Sequence, residues 1–173
     1  DKCISLVPSS VKNILIIGGG DYAIASKLAV QIGIKSVQIV EIDIEVIKIS
    51  KKYFPNHFKL SEKERSKINL VVQDGMHFIR KNTEKFDCII IDSTDPVNSS
   101  KVLNTKLFLK RCFESLKSNG LLIQQSGSPL KDANHIINPL MKKYESIGFK
   151  KINLHSFPMP LYPTGTWSFL SAK

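Results

Sequence analysis

Short apolar runs rich in isoleucine and valine alternate with segments of helical period along the whole chain, and this alternation constrains the fold more than any other feature. The runs at 13–17, 36–41, 68–73, 87–91 and 121–125 read as strands. Each is short and almost continuously apolar, as expected where helices cover both faces of a sheet. Between and after them, 23–32, 45–54, 75–81, 106–116 and 133–147 carry the helical period, with Asp43 placed to cap the second helix and Asn119-Gly120 to end the fourth. Two further strands, near 151–155 and 166–171, flank a proline-rich loop at 158–163 and fit a closing hairpin. The pattern predicts an α/β fold, a mostly parallel seven-stranded sheet with helices on both faces. No internal repeat or low-complexity linker interrupts it, so residues 1–173 read as one domain, long enough at 42% hydrophobic to bury a core.

Composition removes several classes of function. No apolar run approaches the ~20 residues of a membrane span, and no secretory signal opens the chain. The first residue is Asp1 rather than Met, which reads as a segment of a longer polypeptide. Three cysteines without close pairing (Cys3, Cys88, Cys112) argue against a disulfide framework or zinc knuckle and for a reducing cytoplasm. Cys88 and Cys112 fall in apolar elements and read as core thiols, and the four isolated histidines lack ligand spacing. The net charge is +10, yet the basic residues scatter in pairs such as Lys51-Lys52, and the only arginines are Arg65, Arg80 and Arg111. That is a solvated lysine-rich surface rather than a nucleic-acid or membrane face. Residues 59–67 read as a charged, solvated connection, and Trp167 and Phe169 as packing residues.

In such a sheet the ligand sits beyond the carboxyl ends of the strands. Gly18-Gly19-Gly20-Asp21 follows the first strand, Glu41-Ile42-Asp43 closes the second, Asp74-Gly75 the third and Asp92-Ser93-Thr94-Asp95-Pro96 the fourth. Six of fifteen acidic residues therefore collect on one edge of a basic chain. The glycines let a ligand approach the main chain, but no third glycine opens the helix and no Gly-Lys-Ser/Thr follows, which excludes a P-loop. Asp21 puts a carboxylate where a phosphate loop would offer only N–H groups, so the ligand is cationic or amine-bearing. Glu41, about twenty residues on, can accept both hydroxyls of a ribose, and Asp74 an adenine amino group. Each acid alone is equally a helix cap; four in succession favour a nucleoside site without phosphates. Asp92 and Asp95 can neutralise the ammonium groups of a polyamine, and one can deprotonate an amine nucleophile. Gln125 and Tyr162 can line the same cleft, although by period alone Gln125 reads equally as a strand-end surface amide.

These motifs, with Gln125-Ser126 and Tyr162-Pro163-Thr164-Gly165-Thr166-Trp167, resemble in order and spacing the spermidine synthases, the polyamine aminopropyltransferases. The likeness runs over essentially the whole chain, and its Asp-Ser-Thr-Asp-Pro and Tyr-Pro-Thr-Gly elements are specific to that family. The resemblance implies a class I methyltransferase-like, Rossmann-like fold. It also implies transfer of an aminopropyl group from decarboxylated S-adenosylmethionine to putrescine, giving spermidine and methylthioadenosine, with no metal and no permanently bound cofactor. By matching position, Asp92 is the base, Gly18, Gly20, Asp21, Glu41, Asp74, Gly75 and Ser93 hold the donor, and Asp95, Gln125 and Tyr162 hold the polyamine. A cytoplasmic homo-oligomer that engages neither nucleic acid nor membrane is expected.

The family also carries a small N-terminal β-domain, and this chain starts about where that domain would end, which would leave the site open on one side. Tyr22-Ala23 stands where the family has Gly-Gly, so two side chains are expected near the donor's sulfonium. Pro96-Val97-Asn98-Ser99-Ser100 replaces Pro-x-Gly-Pro and implies a different loop shape. The rival readings are an S-adenosylmethionine-dependent methyltransferase and a catalytically degenerate nucleoside-binding or interaction domain. Asp92 and Asp95 argue against the first where its substrate is RNA, since they repel a phosphate backbone.

Overall fold

The computed structural model of the chain describes residues 2–93 and 98–173. Seven strands, β1 (Asn13–Gly18), β2 (Ser36–Glu41), β3 (Ile68–Val72), β4 (Phe86–Asp92), β5 (Leu116–Gly127), β6 (Ile152–Pro158) and β7 (Thr166–Ala172), form one sheet in the order β3-β2-β1-β4-β5-β7-β6. The first five pair in parallel, and β7 runs antiparallel to both β5 and β6. The sheet is therefore mixed, with the closing hairpin as its antiparallel edge.

Strand periodicity divides the core. Leu15 and Ile17 face one layer, where Ile79 of α5 (Gly75–Lys81), Phe108 and Cys112 of α6 (Lys106–Ser115), and Leu140 and Tyr144 of α7 (Asn138–Ile147) pack. Ile14 and Ile16 face the other, against Cys3 of α1 (Lys2–Leu6) and Ala25 and Leu28 of α2 (Ala23–Ala29). Ile14 through Ile17 and Ile89 through Ile91 are each no more than 2% exposed, which explains why these strands read as unbroken apolar runs. Cys88 and Cys112 are fully buried free thiols.

The largest departures from the sequence reading fall at three places. Asn119-Gly120 does not end α6: the helix stops at Ser115, Leu116 is already extended, and residues 117–120 sit in an irregularity between the Phe86–Leu116 and Cys88–Leu121 pairs. The single helix expected over 133–147 is a π-helical turn, Ala133–Ile137, followed by α7, whose second residue is Pro139. That proline has no N–H for the preceding turn and suits a fresh helix start. The 59–67 connection carries a short helix, α4 (Glu62–Arg65), closed by a Ser61–Glu64 capping box.

Candidate active site

The glycine turn is held by close contacts rather than by composition alone. Gly18 has φ +85°, and a Cβ there would lie 2.1 Å from the carbonyl oxygen of Asp92; Gly19 N–H donates to that same carbonyl at 3.0 Å. The ends of β1 and β4 are thus sewn together where only glycine fits. Gly20 N–H donates to Glu41 Oε2 at 3.2 Å, and a Cβ on Gly20 would meet the same oxygen at 2.8 Å. The second oxygen of Glu41 accepts from Asp43 N–H at 3.1 Å. Glu41 is 8% exposed, oriented by two main-chain donors, and retains lone pairs for a ligand.

Beyond the carboxyl ends of β1 to β5 lies a cavity of about 920 Å³. Gly18, Gly20, Asp21, Glu41, Asp74, Gly75, Asp92, Ser93, Gln125 and Tyr162 all line it, so ten of the eleven residues singled out from sequence meet in one hollow. The eleventh, Asp95, lies outside the described residues, as do Pro96 and Val97 of the altered segment that follows it. Capping does not take these acids away from the cavity. Asp43 caps α3 (Ile44–Tyr53) and Asp74 caps α5 through His77 N–H at 2.7 Å, while both carboxylates border the cavity. Gly75 opens α5 where a Cβ would sit 2.7 Å from Ile17, which brings the helix start close to β1.

Burial pushes the Asp92 carboxyl up from 3.8 to about 6, and the nearby carboxylates of Asp21 and Glu41 push in the same direction. With its amide assigned to satisfy both neighbours, Gln125 donates to Asp92 Oδ1 at 3.2 Å and accepts from Trp167 Nε1 at 3.1 Å. Tyr162 meets the Trp167 ring edge to face, centroids 4.5 Å apart. The loop that carries Tyr162 is fastened to the end of β5, with Thr164 Oγ1 lying 2.6 Å from Ser128 Oγ.

Two expectations about aromatic residues change. Phe169 packs in the core as expected, but Trp167 lines the cavity; two residues apart on β7, both share the face of Gln125. Tyr22 and Ala23 do not intrude on the cavity. Tyr22 takes φ +63°, alone among the described non-glycine residues, and its ring turns away onto Phe58, with centroids 4.6 Å apart. Lysine and acid residues that sequence reasoning passed over, Lys131 and Asp132, border the far side of the hollow; neither belongs to a motif that could have marked it.

Residues 4–173 match the family model described as the spermine/spermidine synthase domain. The chain is 40% identical over 163 residues to the polyamine aminopropyltransferase of Methanocaldococcus jannaschii, covering 94% of this chain and 54% of that protein. It is 38% identical over 167 residues to that of Alkaliphilus metalliredigens, with 94% and 57% covered. Among solved structures it is similar to a spermidine synthase in complex with the transition state analogue AdoDATO, at TM-score 0.80 and 29% identity over 94% of this chain and 55% of that one. The Thermotoga maritima spermidine synthase is similar at TM-score 0.77 and 29% identity, with 94% and 54% covered. The chain belongs to the spermine/spermidine synthase family, and it spans about half the length of the curated relatives it matches.

Proposed function

We propose that residues 1–173 form one class I methyltransferase-like domain that transfers an aminopropyl group from decarboxylated S-adenosylmethionine to putrescine. The observation that carries this reading is the convergence of Asp21, Glu41, Asp74 and Asp92 on one cavity in a chain of net charge +10. Such a hollow suits a cationic sulfur nucleoside and a diamine and repels phosphate. The solved relative bound to AdoDATO supports a donor of this type. In this reading Glu41 accepts the ribose hydroxyls, Asp74 and Gly75 meet the adenine, and Gly18, Gly20 and Ser93 shape the wall beside them. Asp21 takes the donor's ammonium, a group left without its carboxylate partner. Asp95, Gln125 and Tyr162 hold the acceptor.

The chemistry is a displacement at carbon. The amine nitrogen forms a bond to the aminopropyl carbon as the bond to sulfur breaks, and the electron pair returns to sulfur as a neutral thioether. The nitrogen's proton passes to Asp92, whose raised value near 6 places it close to the working range of a general base. A sulfonium is already an activated leaving group, so alignment, desolvation and proton removal are what the protein supplies. Three buried free thiols fit a reducing, cytoplasmic setting.

The test is incubation of the 173-residue chain with decarboxylated S-adenosylmethionine and putrescine. Spermidine and methylthioadenosine are expected in equal amounts. Methylthioadenosine binding without turnover would instead assign a nucleoside-binding domain, and methyl transfer from S-adenosylmethionine would assign a methyltransferase.

A further inference from the structure

We propose that Trp167 is a positioning residue that acts on Asp92 through Gln125. Trp167 Nε1–H donates to the amide oxygen of Gln125 at 3.1 Å, and the amide nitrogen donates to Asp92 Oδ1 at 3.2 Å. An indole nitrogen is a donor only, so it can accept no bond from the amide and permits one orientation of Gln125 alone. That orientation presents N–H, not C=O, to the carboxylate.

The sheet builds this relay. Gln125 pairs with Phe169, and Trp167 lies two residues along β7 on the same face, a diagonal neighbour within reach of a long side chain. Between Gln125 and Gly127 the register shifts by one residue, so Gln125 is the last side chain on that face of β5 before the strand bends. Trp167 is held in turn by the ring of Tyr162.

The consequence for Asp92 has a definite sign. A donated hydrogen bond favours the charged carboxylate. Burial and the other acids act oppositely: Asp21 from the glycine turn and Glu41 from β2 face Asp92, and Cys3 of α1 interacts with it from the opposite layer. Asp74, Lys131, Asp132 and Tyr162 border the same cavity. None of these groups is altered when the indole N–H is removed. A freed Gln125 can turn its carbonyl toward Asp92, which favours the protonated acid. The relay thus keeps the acid able to ionise in a site that disfavours its charge. Its catalytic meaning rests on the aminopropyl transfer proposed above; its effect on Asp92 does not.

Trp167 is the single tryptophan of the chain, so biosynthetic replacement of tryptophan by 3-benzothienylalanine exchanges one N–H for sulfur at one site. The titration of Asp92 is read by carboxyl ¹³C resonances in the ligand-free chain, assigned by difference with Asp92→Asn. The replacement is expected to raise the Asp92 midpoint by about half a pH unit or more, as is Gln125→Leu. The two together should give no more than Gln125→Leu alone. The acid limb of kcat/KM should move upward by the same amount. An unmoved midpoint on replacement overturns the proposal, and so does an equal further rise in the Gln125→Leu background. A raised midpoint in a chain that makes no spermidine upholds the relay and removes the transferase reading. Spermidine formation with an unmoved midpoint removes the relay alone.

Discussion

Asp87 and Asp92 stand near opposite ends of β4, and the same carboxyl group is treated in opposite ways at each. At the amino end of the strand, burial pushes Asp87 up, but Lys117 Nζ at 2.7 Å and the main-chain donors of Asn13 at 2.8 Å and Lys12 at 3.2 Å outweigh it, and the carboxyl is held below the usual range. At the carboxyl end, Asp92 is half-buried with Asp21 and Glu41 for neighbours and rises to about 6. One end of the sheet satisfies its charge; the other leaves charge concentrated and accepts the cost. The difference supports the carboxyl end as the place where the proposed ligand completes the electrostatics.

Removing Asp92, the proposed base, is the most severe way to break this contrast. Asp92→Asn is expected to lower aminopropyl transfer by about 10²–10⁴-fold while methylthioadenosine binding, measured by calorimetry, stays within about twofold. The same variant tests the stored cost. Native Asp92 keeps its proton up to about 6 whereas an ordinary carboxyl releases it near 3.8, so its contribution to stability falls as pH rises between those values. Asp92→Asn should therefore unfold at higher urea at pH 8, by roughly 1–2 kcal/mol after allowance for partial solvent screening, and match the parent chain at pH 4. A smaller change sharpens the other side. Asp87→Ala should destabilise the chain at pH 7 by about 1–2 kcal/mol in urea unfolding. Because the native value of Asp87 is depressed, its stabilisation is present above the ordinary carboxylate value and fades below it, and the loss should shrink toward pH 3.

Much of this was legible in the residues. The runs 13–17, 36–41 and 87–91 declare buried strands because both of their faces are covered, and the acids that follow them sit at the sheet edge by topology alone. The junctions around 116–120 and 133–139 were harder. An Asn-Gly pair marks a helix end and a strand irregularity with equal force, and only the partner strand decides between them. Pro139 and Ser61-x-x-Glu64 carry the signals of a helix start and a helix cap, but the helical period across 133–147 and the lysines around 61–64 obscure them. Tyr22 could not be placed from sequence, since the direction of its ring depends on Phe58, far along the chain. Trp167 was masked by strand alternation: a face that packs at Phe169 opens onto the cavity two residues earlier.

Whether the cleft prefers one form of the proposed sulfur nucleoside reports most directly on the purpose of its acids. Calorimetry compares decarboxylated S-adenosylmethionine with S-adenosylmethionine, which differ by a carboxylate beside the ammonium that Asp21 would receive. The account predicts at least about tenfold tighter binding of the decarboxylated form, about 1.4 kcal/mol or more, because the extra carboxylate meets like charge. Equal affinities, or tighter binding of S-adenosylmethionine, would contradict it.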